Sequence, residues 1–85
     1  MVAIEEIVFT DKFERDVRKL HDSLSKEKLE KRIRKIAEDP DSGKPLRYGL
    51  KGERTIRVAP YRLIYAVRGG RLVLLRFEHL KNAYE

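Results

Sequence analysis

The stretch "TIRVAPYRLIYAVRGGRLVLLRFEH", Thr55–His79, alternates β-branched, aromatic and aliphatic residues with arginine. Its two breaks are Ala59-Pro60 and Gly69-Gly70. Gly-Gly between alternating runs signals a tight hairpin, because both turn positions then tolerate positive φ. Three strands follow: Arg54–Val58, Tyr61–Arg68 and Arg71–Glu78. Alternation predicts that Ile56 and Val58, then Leu63, Tyr65 and Val67, then Val73, Leu75 and Phe77 face a covering layer. Arg57, Arg62 and Arg76 then fall on the opposite, open face.

The covering layer lies upstream. "AIEEIVF" (3–9) reads as a strand, and Thr10 as the cap of a helix running to about His21 with Phe13, Val17 and Leu20 at helical spacing. Ser25 is the expected cap of a second helix, about 26–38, which buries Leu29, Ile33, Ile36 and Ala37 and stops before Pro40. "DPDSGKP" (39–45) is a loop, and Leu46–Leu50 a further short strand turning at Lys51-Gly52. The expected fold is α+β, in the order β-α-α-β-β-β, with two antiparallel helices on one face of a mainly antiparallel sheet. Eighty-five residues fit a single domain, 1–85.

The charge is unevenly placed. Residues 1–44 hold eleven basic and eleven acidic residues, whereas residues 45–85 hold nine against three, which is the whole net charge of +6. Within that basic half arginine outnumbers lysine seven to two. Guanidinium forks match phosphate oxygens, so a polyanion is the expected partner. On the second helix, Lys26, Lys28, Lys31, Arg32, Arg34 and Lys35 alternate with Glu27, Glu30 and Glu38 and read as a solvated face. Cysteine is absent and only His21 and His79 are present, so no thiolate metal site, disulfide or cofactor is expected. No run is apolar enough to span a membrane, and the acidic start does not resemble an export signal, so a cytoplasmic location is expected.

After the last strand come His79, Lys81 and Tyr84. RNA carries its own nucleophile, the 2′-hydroxyl. A protein that orients it, neutralises the phosphorane and helps move protons needs no metal. Arg57 and Arg62 suit charge stabilisation, His79 proton transfer, and Tyr84 orientation or base stacking. Arg54, Arg76, Lys81 and Lys51 are further candidates for RNA contacts.

The core "YRLIYAV" (61–67), preceded by "IRV" (56–58) and followed by His79, Lys81 and Tyr84, resembles the RelE/ParE superfamily of toxins. The resemblance implies the toxin of a type II toxin–antitoxin system, held inactive by an acidic, partly disordered antitoxin. In the RelE branch it implies a ribosome-dependent endoribonuclease that cuts mRNA, with roles carried onto Arg62, Arg57, His79 and Tyr84. Free toxin is expected to be a monomer. Leu80 departs from the pattern, since an arginine often follows the histidine. The alternatives are a ParE-type toxin that binds gyrase without cleaving RNA, and a weakened RelE homologue that keeps antitoxin or RNA binding.

Overall fold

The computed structural model describes residues 4–46 and 52–82. Its elements are β1 (Glu6–Phe9), α1 (Asp11–Arg18), α2 (Ser23–Glu38), a 3-10 turn (Pro40–Ser42), β2 (Lys44–Pro45), β3 (Glu53–Val58), β4 (Tyr61–Arg68), β5 (Arg71–His79) and a second 3-10 turn (Leu80–Asn82). The strands form one sheet in the order β1-β5-β4-β3-β2. β1 runs parallel to β5 and the other pairs are antiparallel. The α+β fold is the one expected, and the order β-α-α-β-β-β holds with the two-residue β2 added before the three long strands.

Boundaries differ in physically legible ways. Thr10 caps α1 as expected, its hydroxyl accepting from the Phe13 backbone N–H at 3.2 Å, but α1 stops at Arg18 rather than near His21. Ser25 is not the cap of α2. Asp22 is, accepting from the Leu24 backbone N–H at 3.0 Å, while the buried Ser25 hydroxyl donates to Asp22 at 2.9 Å. A carboxylate offers two acceptor oxygens and so outcompetes the serine three residues on. The first strand is shorter than 3–9. Of the strand expected at Leu46–Leu50, only Leu46 is among the described residues, and the observed β2 lies just before it.

The helix-facing core holds Phe13, Leu20, Leu29, Ile36, Val58, Leu63, Tyr65, Leu72, Leu74 and Phe77. Strict alternation along β5 assigns Val73 and Leu75 to that core, and the structure corrects this to Leu72 and Leu74. Ile64 pairs with Arg76 but Tyr65 with Leu74, so Leu75 is the extra residue of a β-bulge. A bulge reverses the side-chain parity of everything beyond it. Gly69 and Gly70 take φ of 56° and 80°, which is the expected Gly-Gly hairpin.

Two polar anchors tie loops to this frame. Tyr65 is fully buried; its hydroxyl donates to the Pro40 carbonyl and accepts from the Gly43 N–H, both at 2.9 Å. A Cβ at residue 43 would lie 2.5 Å from that hydroxyl, so close approach requires glycine there. On α1 the buried Asp16 carboxylate pairs with Lys12 and accepts from the Phe77 backbone N–H at 3.0 Å. The Thr10 hydroxyl donates to the Leu74 carbonyl at 2.7 Å. Past the end of β1, side chains of the first helical segment therefore complete the edge of β5.

A candidate phosphate-binding concavity

Strand register sorts the charged residues directly. One cross-strand row reads Arg57, Arg62 and Glu78; the next reads Thr55, Ile64 and Arg76; the third reads Glu53, Ala66 and Val73. Residues directly opposite share a face, and this is the face turned from the helices. Arg57, Arg62 and Arg76 do gather on it, as alternation predicts.

Arg57 and Arg62 stand opposite one another and line a concavity of about 500 Å³, together with Ser42, Lys44, Thr55, Ile56 and Leu80. Like charges directly across a strand pair repel, so an anion between them would be stabilising. Arg57 is exposed and has no ion pair among the described residues. Lys44, which alternation on the three long strands does not single out, adds a third cation. Its approach depends on the Tyr65 anchor, which holds the 3-10 turn before β2.

The open face is not purely basic, although residues 45–85 hold only three acidic residues against nine basic ones. Glu78 lies 3.5 Å from Arg62 and 3.3 Å from Arg76, and the buried Glu53 lies 3.7 Å from Arg76. These two arginines and two glutamates balance as a quartet. Even so, the Arg62 and Arg76 Nε–H groups are buried without a hydrogen-bond acceptor, since the contact of Arg76 Nε with Glu78 is an ion pair out of line for a hydrogen bond.

His79 does not join the concavity. It is the last residue of β5, opposite Tyr61, one position beyond Glu78 and therefore on the helix-facing side. Its ring packs edge-on against Tyr61 at 5.3 Å between centroids, beside a hollow lined in part by Lys12, Lys19 and Phe77. Its Nδ1 accepts from the Lys81 backbone N–H at 3.1 Å, which leaves Nε2 as the position for the proton of a neutral ring. Continuing the alternation of β5 one residue further would have found this placement. Lys81 is exposed on the 3-10 turn that follows. Arg54 is also apart: its guanidinium donates to the Gly43 carbonyl at 2.7 Å and lies 3.4 Å from Asp41, clasping the loop. Tyr84 and Lys51 lie outside the described residues. Leu80 is half-buried and lines the concavity.

A family model described as the ParE toxin of type II toxin–antitoxin systems matches residues 7–84. The chain belongs to that family. It is thus a member of the RelE/ParE toxin superfamily and the toxin component of a type II toxin–antitoxin system. No curated protein sequence matches it significantly. Among solved structures, a YoeB/ParE toxin from Agrobacterium tumefaciens is similar at 25% identity and a TM-score of 0.78, over 87% of this chain and 96% of that one. The RelBE2 toxin–antitoxin complex from Mycobacterium tuberculosis is similar at 29% identity and a TM-score of 0.74, over 93% of this chain and 99% of that one. A RelB–RelE antitoxin–toxin complex from Methanococcus jannaschii, at 20% identity and a TM-score of 0.74, shares the fold over 91% of this chain and 94% of that one.

Proposed function

We propose that this toxin acts on RNA, as a ribosome-dependent endoribonuclease that cleaves mRNA through the RNA's own 2′-hydroxyl. The observation that carries the reading is the facing pair Arg57 and Arg62 in one concavity with Lys44. The 2′-oxygen attacks phosphorus, the bond to the 5′-oxygen breaks, and a 2′,3′-cyclic phosphate and a 5′-hydroxyl result. One proton leaves the 2′-oxygen and one reaches the departing 5′-oxygen. The described residues of the concavity stabilise charge: guanidinium groups on two rigid strands bind the non-bridging oxygens more strongly as the phosphorane develops. With His79 on the other face, proton transfer does not fall to it in this arrangement. Tyr84 remains the candidate for orienting or stacking a base. Arg76 and Lys81, which do not line the concavity, are the candidates for contacts to flanking RNA.

The partner we propose is an acidic antitoxin segment. The similar RelBE2 and RelB–RelE structures are toxin–antitoxin complexes. Here a hollow lined by Phe9, Phe13, Val17, Leu29 and Ile33 lies beside the half-exposed Phe9 and offers such a segment an apolar anchor.

A second reading, binding without cleavage, is favoured by two observations: Glu78 neutralises Arg62, and Leu80 occupies the wall of the concavity where related tails often carry arginine. One pair of assays separates them. Primer extension on ribosome-bound message should show new 5′ ends with this protein, while gyrase supercoiling remains unaffected. Intact message with inhibited gyrase would replace the nuclease reading with the ParE-type one.

A further inference from the structure

We propose that α2 carries a second phosphate-binding track, made by Lys28, Lys31, Arg32 and Lys35 and joined to the concavity through Arg57. The inference rests on the reading that the concavity holds RNA, and it extends that site to the flanking strand. These four helical residues follow the spacing i, i+3, i+4, i+7 and so share one face; Glu27 and Glu38 border that face on the Lys31 side, and Glu30 points away from it. The solvated face expected from the linear charge pattern is largely exposed, and four of its cations gather on one side. Lys28, Lys31 and Lys35 are exposed and Arg32 is half-buried. None of the four enters an ion pair among the described residues, although Lys28 acts at longer range on Asp22.

Together with Arg57, Val58 and Ala59 they line a cleft of about 630 Å³ between α2 and the β3–β4 turn. Among the described residues, five cations and no carboxylate face that cleft. Like charges at i, i+3 and i, i+4 cost the isolated helix a few tenths of a kcal/mol per pair, which a bound polyanion would reverse. Arg57 lines both this cleft and the concavity it shares with Arg62, so one strand can run from one to the other. Along the helix, Lys28 to Lys35 spans about 10 Å, room for roughly three phosphates at the rise per charge of a stacked strand. The ligand class is the backbone of single-stranded RNA on one side of the reacting linkage. An acidic peptide is the competing occupant; the continuity through Arg57 favours RNA.

The test is a triple variant of the full chain, Lys28→Gln, Lys31→Gln and Lys35→Gln, which keeps good helix formers and leaves Arg57 and Arg62 intact. Binding of oligouridylates four and twelve nucleotides long is measured by fluorescence anisotropy over a salt series, with circular dichroism to establish folding. The twelve-mer should bind the variant at least tenfold more weakly, with a slope of log K against log salt shallower by about 2. The four-mer should bind almost unchanged. Equal loss on both lengths, no loss on the twelve-mer, or no binding by the parent chain would overturn the track. A larger loss for polyglutamate than for RNA would reassign the surface to an acidic peptide. A parent protein that shows the length dependence yet leaves message uncut would remove the nuclease reading and leave the track standing.

Discussion

At Arg62 two anions compete for one guanidinium. Glu78 holds it at 3.5 Å in the free protein, and on the RNA reading a phosphate must take its place. Replacing Glu78 with glutamine removes the competitor and keeps the shape. Affinity for a short oligonucleotide, read by anisotropy, should therefore rise severalfold; a fall would show that Glu78 positions Arg62 instead of masking it. Leu80 is the complementary case. Leu80→Arg introduces a cation at the wall of the same concavity and should raise message cleavage, measured as the rate of appearance of new 5′ ends. Tyr65 supports the site from below. Tyr65→Phe strips the buried Gly43 N–H and Pro40 carbonyl of their partner and should cost about 1–3 kcal/mol in denaturant unfolding.

Element by element, what the sequence reveals depends on how local the cause is. The Gly-Gly hairpin, the Thr10 cap and the apolar stripes of both helices depend on residues within one turn of each other, and all were legible. The bulge at Leu75 was not, because it depends on pairing between β4 and β5 and leaves no local composition signal. The same pairing decides that Glu78 meets Arg62, whereas the face taken by His79 follows from its parity with Phe77. The gathering of Arg57 and Arg62 was therefore readable from parity, whereas their partial neutralisation required the register. Lys44 was missed because it sits on a two-residue strand placed by the Tyr65 anchor. Two element-scale consequences are measurable. Asp16→Ala leaves the Phe77 N–H buried without an acceptor and should lower unfolding free energy by about 1–3 kcal/mol. Asp22 has its carboxyl held below the ordinary value, first by the Ser25 hydroxyl, then by the Leu24 N–H and more weakly by the charge of Lys28. Its ionised form therefore stabilises the start of α2. That contribution is complete above the unfolded carboxyl's pKa and is lost as pH falls through the lowered folded value. Thermal melts should show Asp22→Ala less stable than the parent at neutral pH, with the gap narrowing in strong acid.

Over the whole molecule, the neutral N-terminal half is not inert. It supplies the helices that cover the sheet and also the stripe of cations on α2 that meets Arg57 across a cleft. The excess charge of the C-terminal half is reduced on the sheet by Glu53 and Glu78, so the positive surface left unpaired among the described residues runs from α2 through Arg57 toward Lys44. No helix among the described residues is long and apolar enough to cross a membrane. On the RNA reading, cleavage depends on a phosphate lodging between Arg57 and Arg62. Primer extension on ribosome-bound message, comparing the parent with Arg62→Ala, tests that most directly. The parent should produce discrete new 5′ ends and the variant at least about tenfold fewer per unit time, equivalent to about 1.4 kcal/mol of transition-state binding. Equal cleavage by the two proteins would contradict the account.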